Sequence, residues 1–370
     1  MGFFSHPVFS PLASFAVEYG LTLLALSLAA KLMEINFEIP DWDFSFVGKC
    51  ARIDAVPSDH ADSFGKKVLL MDIKLINVPL YYGCDNPGTH LAAREFSRSG
   101  LPARIEACGH RVADLTVLSV LPPPEDKFQH PTMKYQNEVC DCCHQLAEAV
   151  DTGRHLGQFP LVIGGDHSLG IGSIAGLSCT IPADQLSVIW IDAHTDINTD
   201  QTSDSHNIHG MPLAACLGLG DPSLYQEMGG ATPFLLPQNL FYLGSRSVDP
   251  GEETILAEHN IRTIRMPEIQ EKGIEACCRE LLESVKTPYL HLSFDVDFID
   301  ADDFSATGLP IPDGPSIDQT HQALRILFSD PRVCSADFVE YSPLHDRNNE
   351  GLNTCNALLE EILTALAQRA

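Results

Sequence analysis

The chain has 370 residues, with 23 Lys and Arg against 50 Asp and Glu and a formal net charge of −27. So acidic a surface repels phosphate backbones and anionic headgroups, which argues against nucleic acid and an anionic membrane face as partners. The motifs below lie on one alternating strand and helix pattern, so residues 66–370 read as a single domain behind an extension of residues 1–65.

Residues 11–30 of the extension are apolar over about the length of a membrane span. Glu18 interrupts the run, no basic segment precedes it, and no convincing small-residue cleavage site follows. The run reads as a packing or interfacial helix. A membrane anchor, or an extension absent from the mature protein, are the alternatives.

Residues 66–80 form the first apolar strand region, followed by a turn over 82–88 and a helix over 91–99. Residues 115–120 read as a short strand, and Pro122, Pro123 and Pro124 as a stiff loop. A helix over 135–153 carries Cys140, Cys142, Cys143 and His144. No second cysteine pair with zinc-ribbon spacing accompanies them, so they read as free thiols, and the twelve scattered cysteines suit a reducing, cytoplasmic compartment. Further strands are expected at 161–163, 187–191, 239–244, 261–264, 289–294 and 335–339, with helices at 271–285, 317–328 and 354–367. That alternation predicts an α/β fold, a parallel sheet with helices on both faces. No internal repeat is present.

Three clusters follow apolar runs. LVI leads into Asp166-His167, LSVIWI into Asp192-Ala193-His194-Thr195-Asp196, and YLHLSF into Asp295-Val296-Asp297. In open α/β sheets, ligands bind beyond the carboxyl ends of strands. Asp192, His194 and Asp196 fall at i, i+2 and i+4, so a continuing strand would turn all three to one face. One such cluster is as well explained by helix capping, but three, two of them with histidine, point to metal. Six carboxylate and imidazole ligands are too many for one ion and suit two hard divalent ions, with Asp192 and Asp295 placed to bridge them.

These residues also carry a family resemblance. GGDHSLGIGSIAG, VIWIDAHTDINT, HNIHGMPLA, GSRSVDPGE, HLSFDVDFID and DFVEYSP resemble arginase segments, in arginase order, over about residues 68–366. The resemblance implies a three-layer α/β/α, arginase/deacetylase-like fold. It also implies two Mn²⁺ ions per subunit and hydrolysis of L-arginine to L-ornithine and urea. By that resemblance one ion takes His167, Asp192, Asp196 and Asp295, and the other His194, Asp192, Asp295 and Asp297. Guanidinium is a weak electrophile, and two cations would acidify the attacking water. Asp196 would accept its hydrogen bond, and His209 would shuttle protons to the leaving amine. Glu340 matches the guanidinium-binding glutamate. Asn198 and Ser205 match α-carboxylate contacts, with Asn207 supporting them, and Asp249 faces the α-amino group. Asp249 before Pro250-Gly251 also admits a plainer reading as a turn or cap residue, which the motif match outweighs.

Three positions depart from the family pattern. Leu309 stands where arginases usually carry threonine, Ser247 where an acidic residue is common, and Gln319 where glutamate is familiar, a position that bears on assembly. A homo-oligomer, trimer or hexamer, is implied only by the resemblance. The alternatives are another ureohydrolase, acting on agmatine or a guanidino acid, and a catalytically silent arginase-like protein.

Overall fold

Eight strands form one sheet in a computed structural model that describes residues 70–369. They are β1 (Asp72–Asn77), β2 (Arg111–Val117), β3 (Phe159–Ile163), β4 (Leu186–Ile191), β5 (Leu240–Ser245), β6 (Arg262–Arg265), β7 (Tyr289–Asp295) and β8 (Val333–Val339). All pairings are parallel, in the order β2-β1-β3-β8-β7-β4-β5-β6. The four central strands, β3, β8, β7 and β4, are buried along nearly their whole length, and such strands carry apolar side chains on both faces. The expected extension of residues 1–65, with its apolar run, lies outside the described residues. Among the described residues no helix is long and apolar enough to cross a membrane.

Alternate strand residues enter two separate cores, as the period of two requires. Leu161, Ile163, Ile189 and Ile191 pack into one core with helices α1 (Ala92–Arg98), α2 (Leu101–Ala107), α7 (Met266–Lys272), α8 (Ile274–Ser284), α9 (Ile317–Phe328) and α10 (Glu350–Ala367). Val162, Val188 and Trp190 pack into the other, with α3 (Gln136–His155), α4 (Gly170–Ser178), α5 (Pro212–Cys216) and α6 (Pro250–Glu258). The expected three-layer α/β/α architecture is therefore the observed one.

Several boundaries differ from expectation. β2 begins at Arg111, upstream of the expected 115–120, because it zips against β1 from the Asp72–Arg111 pair onward. The expected helix over 271–285 is two helices, broken where Gly273 takes a φ of 84°, a conformation that favours glycine. α9 starts at a capping box in which Gln319 N–H donates to Ser316 Oγ at 3.2 Å and Ser316 N–H to Gln319 Oε1 at 3.0 Å. The Gln319 side chain is thus occupied in holding its own helix. Cys142 and Cys143 are buried in α3, and the eleven described cysteines are all free.

Helices α3 and α4 approach so closely that side chains are excluded between them. A Cβ on Gly172 would meet the Cys143 carbonyl oxygen at 2.5 Å, and one on Gly176 the Ala147 carbonyl oxygen at 2.5 Å. Backbone cannot yield as a side chain can. Gly172→Ala is expected to lower the unfolding free energy by about 1–3 kcal/mol through overpacking, read by denaturant titration. An unchanged midpoint would show that the helices can separate freely.

Candidate metal centre

Because every strand is parallel, the loops after β3, β4, β7 and β8 leave the same edge of the sheet. Those four strands are neighbours, so His167, the Asp192–Asp196 loop, Asp295 with Asp297, and Glu340 meet there. The residues after Ile191 are not a continuing strand: they bend, and Asp196 takes a φ of 47°. Its ligands converge through a turned loop, not through strand alternation as expected. Glu340 also has positive φ, 64°, uncommon for residues with a side chain and frequent where a site overrides local preference.

His167 Nδ1 lies 2.9 Å from Asp192 Oδ2, 3.2 Å from Asp295 Oδ2 and 3.3 Å from Asp196 Oδ2. His194 Nδ1 lies 3.0 Å from Asp297 Oδ2 and 3.4 Å from Asp192 Oδ1. Two ligand trios result, His167-Asp192-Asp295 and Asp192-His194-Asp297, each with its ligand atoms within 4.8 Å of one another. Asp192 belongs to both, as a bridge must. Asp295 belongs to the first alone, and Asp196 stands beside it.

Whether these residues fit metal ions can be judged from their unmet bonding. His167 Nδ1 and Asp192 Oδ2 are buried and close, yet neither has a hydrogen-bond partner of acceptable geometry. Buried polar atoms seldom go unsatisfied, and two lone-pair bearers facing one another are satisfied by a cation between them. The donor set of carboxylates with a minority of imidazole suits hard or borderline divalent ions, so the residues fit.

The charge balance agrees. Burial pushes the Asp196 and Asp295 carboxyls well above the ordinary range, reinforced by neighbouring carboxylates, and pushes Asp297 up to about 6. Burial also opposes charge on Asp192, but His167 and His194 beside it draw its pKa far down. Both histidines rise against the cost of burial because carboxylates face them.

The ligands rest on polar groups that sequence reasoning missed. His167 Nε2 lies 2.8 Å from Ser293 Oγ, which donates to Asp337 Oδ2 at 3.2 Å. Asp337 also accepts from Ser173 Oγ at 2.8 Å and lies 3.1 Å from His291 Nε2. This network faces the second nitrogen of His167 and leaves Nδ1 toward the carboxylates. The His167 ring stacks on Trp190 at 3.7 Å between centroids. Arg246 donates to the carbonyls of Asp297, Phe298, Ile299, Ile311 and Pro312, tying the β7 turn to the loop beyond Leu309. The available signal was polar residues at i, i+2 inside apolar strands, His291 with Ser293 and Ser335 with Asp337.

A pocket opens over the trios. His194, Asp196, Asn207, His209, Asp295, Asp297 and Glu340 line it, with Cys84, Asn86, Gly308 and Leu309. Glu340 Oε1 accepts from the His167 N–H at 2.9 Å and lies 3.4 Å from His209 Nδ1. Three expected substrate residues do not line it. Asn198 Nδ2 donates to Asp249 Oδ2 at 2.9 Å, while Ser205 and Asp249 are exposed. Asp249 stands at the N-cap of α6, its N–H held by Glu252 Oε2 at 2.9 Å, so the cap role weighed for it is present. Ser247 uses its backbone N–H on the Ala193 carbonyl at 2.9 Å.

Fold and site together define an α/β protein with a candidate carboxylate and imidazole metal centre at the carboxyl ends of a parallel sheet. A sequence model described as the arginase family matches residues 71–365. The arginase of Brevibacillus brevis is 35% identical over 293 residues, covering 79% of this chain and 97% of its own. The crystal structure of Bacillus subtilis arginase superposes with a TM-score of 0.73 at 34% identity, covering 79% of this chain and 98% of that one. That of Entamoeba histolytica arginase in complex with L-ornithine gives 0.71 at 26% identity, covering 80% and 98%. The chain belongs to the arginase family.

Raised carboxyl and imidazole pKa values mean that the metal-free folded state holds protons the unfolded chain has released. The stability these groups contribute is therefore lost as pH rises from about 4 through neutral, while His90 and His110, lowered by burial, act in the opposite sense and Asp192 acts only at more acid pH. Metal ions bound there would replace those protons. The melting-temperature gain from added Mn²⁺ is expected to grow across that interval, and a gain independent of pH would contradict the assigned charge balance.

Proposed function

We propose that this chain hydrolyses L-arginine to L-ornithine and urea, with two Mn²⁺ ions held by His167, His194, Asp192, Asp196, Asp295 and Asp297. The observation that carries this reading is that Glu340 and His209 face the two ligand trios across one pocket. The ornithine-bound Entamoeba relative supports the substrate class. When bound, two divalent ions would acidify a water and neutralise the crowded carboxylates.

The protein's own residues supply orientation and proton movement. Glu340 Oε1 is engaged by the His167 N–H, which fixes the carboxylate so that it can accept N–H bonds from a planar guanidinium. Asp196 accepts a hydrogen bond from the attacking water. His209 gives a proton to the departing amine, which leaves poorly as an anion. Asn198 and Ser205 hold the substrate α-carboxylate and Asp249 its ammonium, at the mouth. The free thiols support a cytoplasmic location. Assembly as a trimer or hexamer is carried over from the family resemblance, and sedimentation measures it.

Loaded with Mn²⁺, the chain is expected to release urea from L-arginine with a kcat/KM at least about 100-fold above that for agmatine. Equal values for the two would remove arginine as the substrate and leave guanidine hydrolysis standing. His209→Ala is expected to retain its metals by elemental analysis while losing about 10²–10⁴ in rate; loss of metal instead would move His209 to a structural role.

A further inference from the structure

Asn207 forms part of the pocket wall, and its amide is held from both sides. Its Oδ1 accepts from Lys134 Nζ at 2.9 Å, and its Nδ2 donates to the Cys84 carbonyl at 3.1 Å. An ammonium group only donates, so the lysine fixes which way the amide is turned. Nδ2 carries two hydrogens, and Cys84 takes one. The other is left for a ligand in a pocket whose lining also includes four carboxylates, Asp196, Asp295, Asp297 and Glu340.

The charge behind this wall has the same sense. Lys134 Nζ lies 3.2 Å from Asp85 Oδ2, which also accepts from Lys127 Nζ at 2.8 Å. Burial pushes the Asp85 carboxyl up, but the two lysines outweigh it and hold it below the ordinary range, so Asp85 remains an anion. Two ammonium groups share one carboxylate, leaving one surplus positive charge beside the pocket of a chain whose net charge is −27. The side chain of Lys134 is only 16% exposed, so water screens this charge incompletely.

The lysine is anchored to the loop it serves. Lys134 N–H donates to the His206 carbonyl at 3.0 Å, and His206 Nδ1 lies 3.1 Å from the Thr132 carbonyl. The same loop carries Ser205, whose Oγ accepts from the Asn207 N–H at 3.2 Å, and His209.

We propose that Lys134 is a positioning residue for substrate specificity. It turns the Asn207 amide donor toward the pocket and adds a cation behind it, so that this wall selects guanidino compounds bearing a carboxylate over those lacking one. The inference rests on the arginine-hydrolase reading above. Agmatine has no carboxylate to gain from this wall.

The test compares the Mn²⁺-loaded full chain with Lys134→Met on L-arginine and agmatine. KM for L-arginine is expected to rise about tenfold, equivalent to about 1.4 kcal/mol. With kcat within about twofold and agmatine parameters unchanged, the preference for arginine falls about tenfold. Lys134→Arg should restore most of it, and inhibition by L-ornithine should weaken while inhibition by putrescine does not. Equal losses on both substrates, or a loss confined to kcat, would overturn the assignment and make Lys134 a loop tether only. Lys134→Gln keeps a donor for Asn207 without the charge and gives the same comparison if the methionine variant melts early. A wild-type chain that cleaves neither compound would instead defeat the underlying functional reading.

Discussion

Four aspartates, Asp192, Asp196, Asp295 and Asp297, are buried around two histidines at one edge of the sheet, with Glu340 beside them. Two like charges about 4 Å apart, at an effective dielectric near 20, repel by about 4 kcal/mol. Among the described residues no arrangement of protein groups cancels that repulsion for all of them at once. Protons on some of the carboxyls, or cations among them, must do so, and the unsatisfied His167 Nδ1 and Asp192 Oδ2 mark where a cation is wanted. Much of the surrounding structure can be understood as what it takes to hold anions together.

The parallel sheet answers the first need, which is direction. Four adjacent parallel strands deliver their loops to one edge, where antiparallel neighbours would send alternate loops to opposite edges. Packed helices on both faces give the second need, rigidity, since close approaches such as that of Gly172 to Cys143 leave little room for the strands to shift. Polar groups inside the sheet give the third. Ser293, Asp337, His291, Ser335 and Ser173 satisfy one another in a region with no water access, and their outermost member reaches the histidine ligand. A fully satisfied buried network of this kind rigidifies what it touches. The geometry of the candidate ligands is thus set from below the site, while the loops above it carry Asn207 and His209 into the pocket lining, with Lys134 hydrogen-bonded to Asn207.

Much of the site was legible because its residues cluster locally. Asp192, His194 and Asp196 lie within five positions, and an apolar strand announces each cluster. Glu340 and His209 were legible only through family resemblance, since an isolated glutamate or loop histidine has no distinguishing local pattern. Arg246, Ser293 and Asp337 escaped because they act through carbonyls and hydroxyls on segments far away in the chain. Lys134 lies 73 positions from the asparagine it orients, and no periodicity connects them.

The sequence by itself determined the alternation of strand and helix, the parallel sheet, the ligand types and the acidic balance of the chain, because each depends on short-range spacing and composition. Tertiary structure decided the rest. It bent the Asp192–Asp196 segment out of strand geometry and placed Asp192 in both ligand trios. It set Asp249 and Gln319 at helix caps and left Ser205 outside the pocket lining. The physical reason is that local propensity chooses a backbone state, whereas the meeting of four loops depends on strand order and register, which are fixed by packing between segments distant in the chain.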